Sequence, residues 1–431
     1  MTADDVDLAA SRLLGVIPSS PLERNARLTA RTGARVWLKR DDLLPVRSYK
    51  VRGAYNLISQ LDGPERAAGV VCASAGNHAQ GVAYACARLG VQARVYLPRT
   101  TPRQKRDRVA FLGGDVVEVH VIGDAYDDAA EAARADTRRT GATLVPAFDD
   151  PRTVAGQGTS VRELVGQLGR APDVLVVPVG GGGLLAGALT WLRERHPEVV
   201  VVGVEPAGAA CLSAALAEGE PVDLPTVDPF VDGAAVRRAG RVTFPVARDA
   251  VAGGGTVLTT VPEGQVCIEM LELYQSDGII AEPAGALATA WLTGLFTGPD
   301  APGTLGGLAG LAVPDDPTVV CLLSGGNNDV SRYADIVERA LVHEGRKHYF
   351  LVEFPQEPGA LRRFLDDVLG PDDDITLFEY IKRSNRETGP ALVGIELGRP
   401  EDLTALLERM RDAPPRIEPV PPDSPLFRFL L

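Results

Sequence analysis

A lysine at the entry to an apolar helix, followed by three glycine-rich turns, is where this sequence could do chemistry. Lys50 lies in the run Val46-Arg47-Ser48-Tyr49-Lys50-Val51-Arg52-Gly53-Ala54-Tyr55-Asn56. The strand-like Val36-Trp37-Leu38-Lys39 precedes it, and an apolar-periodic segment follows from Ala54. That puts the amine at a strand-to-helix junction, where it can face a crevice. Alone, a lysine at a helix start is an ordinary surface residue. Three later segments change the reading: Ser74-Ala75-Gly76-Asn77-His78, Gly180-Gly181-Gly182-Gly183 and Ser324-Gly325-Gly326-Asn327-Asn328 each follow a strand-like run.

Gly180 to Gly183 stands between the apolar Val174 to Val179 and the helix-like Leu184-Leu185-Ala186-Gly187. Backbone N–H groups of a glycine turn at a helix N-terminus form an anion site. The turn lacks the Lys-Ser/Thr of a nucleotide P-loop and does not fit Gly-x-Gly-x-x-Gly, which favours a fixed phosphate over a nucleoside triphosphate. The competing reading is a tight turn that needs small residues for packing. Asn77 and His78 sit where a strand passes into a helix, the place an open α/β sheet binds ligands. A carboxylate could rest on the N–H groups of residues 74 to 78; a packed core histidine is the alternative for His78. Taken together, the four segments look like a cradle for a phosphorylated aromatic aldehyde held on Lys50.

The elements that must position these groups alternate. Helices are expected over 6–16, 80–89, 102–111, from a cap at Asp124 to Arg139, over 159–168, and in a segment ending near Arg195. Strands are expected at Leu28-Thr29, 36–39, 70–73, 93–97, 116–121, 174–179, 199–204, Thr243–Val246 and 319–323, with further helices at 263–274 and 283–292. Residues 221–232 read as a proline-rich loop, and 295–317 have no clear pattern. Wholly apolar strands such as Val174 to Val179 expect cover on both faces, as in a parallel sheet. Strand, helix, strand at this spacing is an α/β layer architecture.

After His343 the glycine-rich turns, Trp and Cys disappear. Strands at 348–354, 375–382 and 391–397, helices at 359–368 and 400–411, and a terminal strand have the order of a ferredoxin-like α+β unit. The boundary is read between 334 and 346. It separates a first region, 1–340, whose smaller subdomain spans about 50–150, from a second, 346–431.

At 431 residues the length suits two or three domains, and 45% hydrophobic with 23% charged residues is ordinary for a globular protein. A net charge of −13 argues against nonspecific nucleic-acid or anionic-membrane binding. The five cysteines, Cys72, Cys86, Cys211, Cys267 and Cys321, are scattered with no CxxC pair, which reads as a reducing compartment. With an acidic N-terminus and no long apolar run, a cytoplasmic location is expected.

Val46 to Asn56, Ser74 to Gly81, Gly180 to Gly187 and Ser324 to Asn328 resemble the motifs of fold-type II pyridoxal-phosphate enzymes. Within these, nearly the whole chain resembles the biosynthetic threonine dehydratases with one ACT-like regulatory domain. The resemblance implies pyridoxal 5'-phosphate held covalently by Lys50, with Tyr49 in the place of a Phe that flanks the ring. It implies that Asn77 bonds the phenolic oxygen, that Ser74, Ala75, Gly76 and His78 belong to the substrate-carboxylate loop, and that Ser324 partners the ring nitrogen. Gly180, Gly181, Gly182, Gly183 and Leu184 match the phosphate cradle. The resemblance also implies a catalytic role for the region 1–340 and a regulatory role for 346–431. Implied with them are L-threonine as substrate, L-serine as a second candidate, isoleucine and valine as effectors, and a homotetramer. Glu205 resembles the first ligand of a cation site in related serine racemases and dehydratases, with Ala209 offering its carbonyl. Cys211 stands where those enzymes carry an acid, and a hard cation wants oxygen ligands, so no metal is expected. Glu282, opening Glu-Pro-Ala-Gly, could approach the site from the far side or serve as a helix cap. Tyr349, Phe350 and Phe354 could line an effector pocket or simply follow strand alternation. Degradative serine/threonine dehydratases and serine racemases share the catalytic motifs, and a catalytically silent amino-acid sensor is the rival outside enzymes. The second α+β unit favours pathway control, and intact Lys50, Asn77 and Ser324 count against the silent sensor.

Overall fold

The computed structural model describes residues 1–296, 313–382, 386–413, 415–421, 424–427 and 430. The chain divides into two compact units, Met1–Asp329 and Val330–Leu431. The first carries strands β1 (Leu22–Arg24), β2 (Arg35–Arg40), β3 (Val70–Ala73), β4 (Ala93–Leu97), β5 (Val117–Val121), β6 (Thr143–Leu144), β7 (Val174–Pro178), β8 (Val200–Pro206), β9 (Thr256–Val261) and β10 (Thr318–Leu323). They form a six-stranded sheet in the order β1-β2-β10-β7-β8-β9 and a four-stranded sheet in the order β5-β4-β3-β6. Only β1 with β2 is antiparallel among these pairings.

Every residue of β7, β8 and β10 is buried. Such strands need helices on both faces, and parallel pairing with helical returns supplies them. Leu164, Leu175, Val177, Leu185, Leu189, Val201 and Phe244 share the core of the larger sheet. Leu57, Val70, Val82, Val95 and Leu97 belong to that of the smaller. Because the strands run parallel, the helix-opening turns after β3 and β7 lie at carboxyl strand ends, where open sheets place their ligand crevices.

Four local readings are corrected. Leu28-Thr29 lies in the helix Ala26–Thr32, since the Asn25 side chain accepts from Leu28 N at 2.8 Å and Gly33 ends the helix at φ 73°. Thr243–Val246 opens the helix Thr243–Ala252, which buries Phe244, Ala247 and Ala250 at three-residue spacing. The helix Tyr126–Thr140 is started by Asp128, not Asp124: the Asp128 carboxylate accepts from Asp124 N at 3.0 Å and Ala125 N at 3.1 Å. The helix expected at 159–168 begins earlier, at Pro151, behind an Asp150 cap. Strands β1, β6 and β9 escaped the sequence reading, and of the unpatterned 295–317 stretch, residues 297–312 lie outside the described residues.

In the second unit, β11 (Lys347–Pro355), β12 (Asp374–Tyr380), β13 (Thr388–Glu396) and β14 (Arg416–Pro419) pair antiparallel in the order β12-β13-β11-β14. Helices Ala360–Val368 and Leu403–Asp412 complete a βαββαβ order, the ferredoxin-like pattern. This unit begins ahead of the 334–346 stretch and includes the helix Tyr333–His343. Phe350 and Phe354 lie in its core with Phe364, Val393 and Leu406. Tyr349 belongs to a separate cluster with Val420 and Phe427, and its hydroxyl donates to Glu338.

Candidate active site

Lys50 is the first residue of the helix Lys50–Ile58, and Ser48 Oγ accepts from its backbone N at 3.2 Å. The turn before it is stitched to the one after β10. Ser48 bridges Gly325, Tyr49 N donates to Ser324 O at 3.1 Å, and Gly326 N donates to Arg47 O at 2.9 Å. Arg47, at φ 53°, is the one non-glycine with positive φ among the described residues. Side chains resist this left-handed backbone, which persists only where neighbours hold it, often at functional sites. Gly81 permits the next approach, since a Cβ there would lie 3.1 Å from the Lys50 backbone. The helix bearing Asn77 thus packs directly on the lysine turn.

The Lys50 ammonium donates to Ala147 O at 3.1 Å and lies 5.2 Å from the Tyr49 ring centre. It makes no ion pair among the described residues. Residues 145–148 touch three of the sequence motifs. Val145 O meets His78, Ala147 O meets Lys50, and the Phe148 ring backs the glycine turn. A Cβ on Gly181 would lie 2.4 Å from that ring, one on Gly183 2.8 Å from Phe148 Cβ, and one on Gly180 2.9 Å from Ala234 Cα. Gly182 has φ 89° and faces Thr243 Oγ1, which donates to Gly181 O at 2.7 Å. The side-chain direction of all four glycines is filled by protein. The turn can present only backbone, and it does so at the start of the helix Gly183–Arg195. Leu184 puts its side chain into the core, so only its backbone is available there.

After β3, Ser74 Oγ accepts from Gly76 N at 3.2 Å and shapes the loop into the helix Asn77–Leu89. Gly76, at the cap position, has no side chain to satisfy the first-turn N–H groups, which also lack intrahelical acceptors. His78 is 3% exposed. Its Nε2 lies 2.7 Å from Val145 O and must donate there, leaving Nδ1 unprotonated and without a partner among the described residues. Burial, then the nearby Lys50 charge, hold His78 down at about 4, so its ring is neutral near pH 7. Its side chain is therefore committed to packing, and what it can offer a carboxylate is its backbone N–H.

Asn77 Nδ2 donates to Glu282 Oε1 at 2.6 Å, and Asn77 Oδ1 accepts from Asn327 Nδ2 at 2.8 Å. Ser324 is buried, with Oγ donating to Ala284 O at 3.3 Å. Sequence reasoning named Glu282 without a partner and passed over Asn327 and Phe148. The second Asn-rich half of Ser324–Asn328 was the available signal for Asn327. For Phe148, an isolated aromatic in an irregular stretch, there was none. Glu205 is occupied otherwise: its oxygens accept from Leu212 N at 2.7 Å and Ser213 N at 2.8 Å at the start of the helix Cys211–Glu218. Cys211 Sγ lies 3.5 Å from Gly180 O.

An amine unclaimed by any carboxylate, a backbone-only anion cradle, an amide and a buried hydroxyl fit a phosphorylated pyridine aldehyde. Residues 13–303 match the family described as "Pyridoxal-phosphate dependent enzyme", and the chain belongs to that family. Residues 338–430 match the C-terminal regulatory domain of threonine dehydratase. Along its whole length the chain is 60% identical to L-threonine dehydratase biosynthetic IlvA of Mycobacterium tuberculosis, covering 96% of that protein. It is 52% identical to the protein of the same name from Corynebacterium glutamicum, over 99% of this chain and 95% of that one. Among solved structures it resembles the processed form of threonine deaminase isoform 2 from Solanum lycopersicum. That match has a TM-score of 0.68 and 35% identity, over 79% of this chain and 94% of that one. Pyridoxal phosphate is the cofactor. We propose that Lys50, Tyr49, Asn77, Ser324 and the Gly180–Gly183 backbone would hold it.

Proposed function

We propose that this chain dehydrates and deaminates L-threonine to 2-oxobutanoate and ammonia, the entry step of isoleucine synthesis, with L-serine as a second substrate. The convergence of Lys50, the Gly180–Gly183 amides and the Asn77 helix on the 145–148 strip carries the reading. Bound pyridoxal phosphate supplies an electron-withdrawing ring that makes the substrate α-proton acidic. Lys50 Nζ, as the free amine, is the base for that proton. The N–H groups of the Ser74–His78 loop hold the substrate carboxylate. Neutral His78 is a poor acid at neutral pH and is not assigned the leaving hydroxyl's proton.

Ser324 sets the reaction's direction. A hydroxyl cannot hold a positive ring nitrogen as an aspartate would, which disfavours transamination and leaves early loss of the β-hydroxyl accessible. With the α-proton and the β-hydroxyl lost together as water, the amino acid becomes an enamine, which tautomerises and takes up water to give 2-oxobutanoate and ammonium. The second unit is assigned the regulatory role, with isoleucine as inhibitor and valine as its antagonist, in a cytoplasmic homotetramer.

Borohydride reduction of the full-length protein followed by peptide mass analysis tests the centre of this reading. The cofactor mass is expected on Lys50, and Lys50→Ala is expected to lose the label and at least a thousandfold in threonine turnover. A label on Lys39 instead would overturn the assignment.

A further inference from the structure

Glu282 is 5% exposed, yet its carboxylate has not been given a task by the reaction described above. It belongs to the larger lobe of the first unit, at the cap position of the helix Pro283–Gly294. Its backbone is tied to the turn after β10, with Glu282 N donating to Gly325 O at 3.2 Å. Its side chain reaches Asn77, which follows β3 of the smaller sheet, at 2.6 Å. Gly325 is what makes the reach possible. A Cβ there would lie 2.1 Å from Glu282 Oε1 and 3.2 Å from Asn77 Nδ2. Any side chain at 325 would displace the contact.

The hydrogen bonds around Asn77 permit one orientation of its amide. Asn327 Nδ2 donates to Val46 O at 2.7 Å, and a backbone carbonyl can only accept. Asn327 therefore presents N–H, not oxygen, to Asn77, whose Oδ1 receives it at 2.8 Å. That leaves the Asn77 NH₂ on the other side, where one hydrogen goes to Glu282 and the second has no acceptor among the described residues. That second hydrogen is the one the cofactor's phenolic oxygen would accept.

We infer that Glu282 is a positioning residue that locks the Asn77 amide by accepting one of its hydrogens. When ionised, its carboxylate places a negative charge one residue away from the cofactor's phenolic oxygen. The inference rests on the proposed role of Lys50 and Asn77 and deepens it. A negative charge so placed raises the proton affinity of the group bonded to Asn77, since nearby charge stabilises the opposite sign. The charged groups that act on Glu282 itself are Asp232, in the loop before Gly233, and Lys105, on the helix Arg103–Gly113, which pair with each other at 2.9 Å. Burial and then Asp232 push the Glu282 carboxyl up to about 7, against the Asn77 bond and Lys105.

The two parts of the role separate in two variants of the full-length holoenzyme. Glu282→Gln keeps an oxygen for the Asn77 hydrogen but removes the charge; Glu282→Ala removes both. Cofactor dissociation is expected to rise at least tenfold in Glu282→Ala and to stay within threefold of the parent in Glu282→Gln. The pH midpoint at which the long-wavelength absorption of the bound cofactor is lost is expected to fall by at least half a unit in both. A merely structural role would let Gln restore both quantities. An unmoved midpoint in Glu282→Gln, or equal loss of affinity in the two variants, would overturn the inference. If Glu282→Ala does not yield soluble protein, the Glu282→Gln midpoint decides alone. Should the parent carry no reducible cofactor on Lys50, it is the proposed role of Lys50 that has failed.

Discussion

At the scale of single residues, the groups that look alike in the sequence divide by burial. His78 and Lys50 are both basic and close together, yet one is neutral and packed while the other keeps a single carbonyl partner. The His78 ring has a pH consequence with a defined sign. Its folded-state value, about 4, lies below its ordinary 6.5, so the unfolded chain binds the extra proton first as pH falls. The stability it contributes is present above pH 6.5 and is lost progressively down to about 4, at roughly 1.4 kcal/mol per unit. Replacing His78 with Asn, which can still donate to Val145 O, is expected to flatten the fall in Tm between pH 6.5 and 4.5. Thermal unfolding at several pH values checks this, and a parent-like slope in the variant would assign the acid sensitivity to other groups. The Glu163 carboxylate is a second acid-sensitive group. Burial raises it, but Arg52 and Lys39 outweigh that and hold it at about 2, below the range in which His78 acts.

At the scale of elements, the site is built from turns that leave no room. The Gly180–Gly183 turn follows a strand that is buried throughout, and its glycines are backed by Phe148, Ala234 and Thr243. Gly181→Ala sets a methyl 2.4 Å from the Phe148 ring. Overpacking of this kind costs about 1–3 kcal/mol and is relieved by shifting the turn. Urea unfolding is expected to show that loss, and cofactor titration a weaker affinity. Normal affinity in a destabilised variant would mark the turn as packing alone. The helix of Lys50 is anchored by a different device. Arg52, 2% exposed, donates to Asp41 at 2.9 Å and to Glu163 at 3.1 Å, joining the lysine helix to the segment after β2 and to the helix Pro151–Leu168. Buried charges of this kind are tolerated because each has a partner, and the same pairing fixes which face of the helix turns inward.

At the scale of the whole molecule, two units of different architecture share one chain. The second has a complete core of its own and contains none of the four catalytic segments. For an effector to act from there, it must bind the less active state more tightly; a tenfold preference corresponds to about 1.4 kcal/mol of coupling per site. By the same linkage, threonine is expected to weaken isoleucine binding. Calorimetric titration of the full-length protein is expected to show heat of binding at submillimolar isoleucine, and threonine saturation curves are expected to shift to higher substrate. No heat at millimolar isoleucine, with curves unmoved, would leave the second unit as an assembly device and favour a degradative role.

The motifs, the parallel α/β order and the ferredoxin-like order were legible along the chain because they are local. A buried strand is a run of apolar residues, an anion turn is a run of glycines, and helix and strand periods repeat within a few residues. The cofactor class could be named for the same reason, since four short segments in sequence order carried the resemblance. Where one local signal competed with another, the reading failed. The Asn25 cap made a helix of Leu28-Thr29, and packing of Phe244, Ala247 and Ala250 made one of Thr243–Val246. The tertiary structure alone decided the rest. Phe148 behind the glycine turn, Asn327 on Asn77, and Glu282 reaching Asn77 over the side-chain-free Gly325 join residues up to 250 positions apart. Hydrogen bonds and contacts between distant segments leave no period in the sequence, so the orientation of the Asn77 amide and the neutrality of His78 exist only once the fold has closed around them.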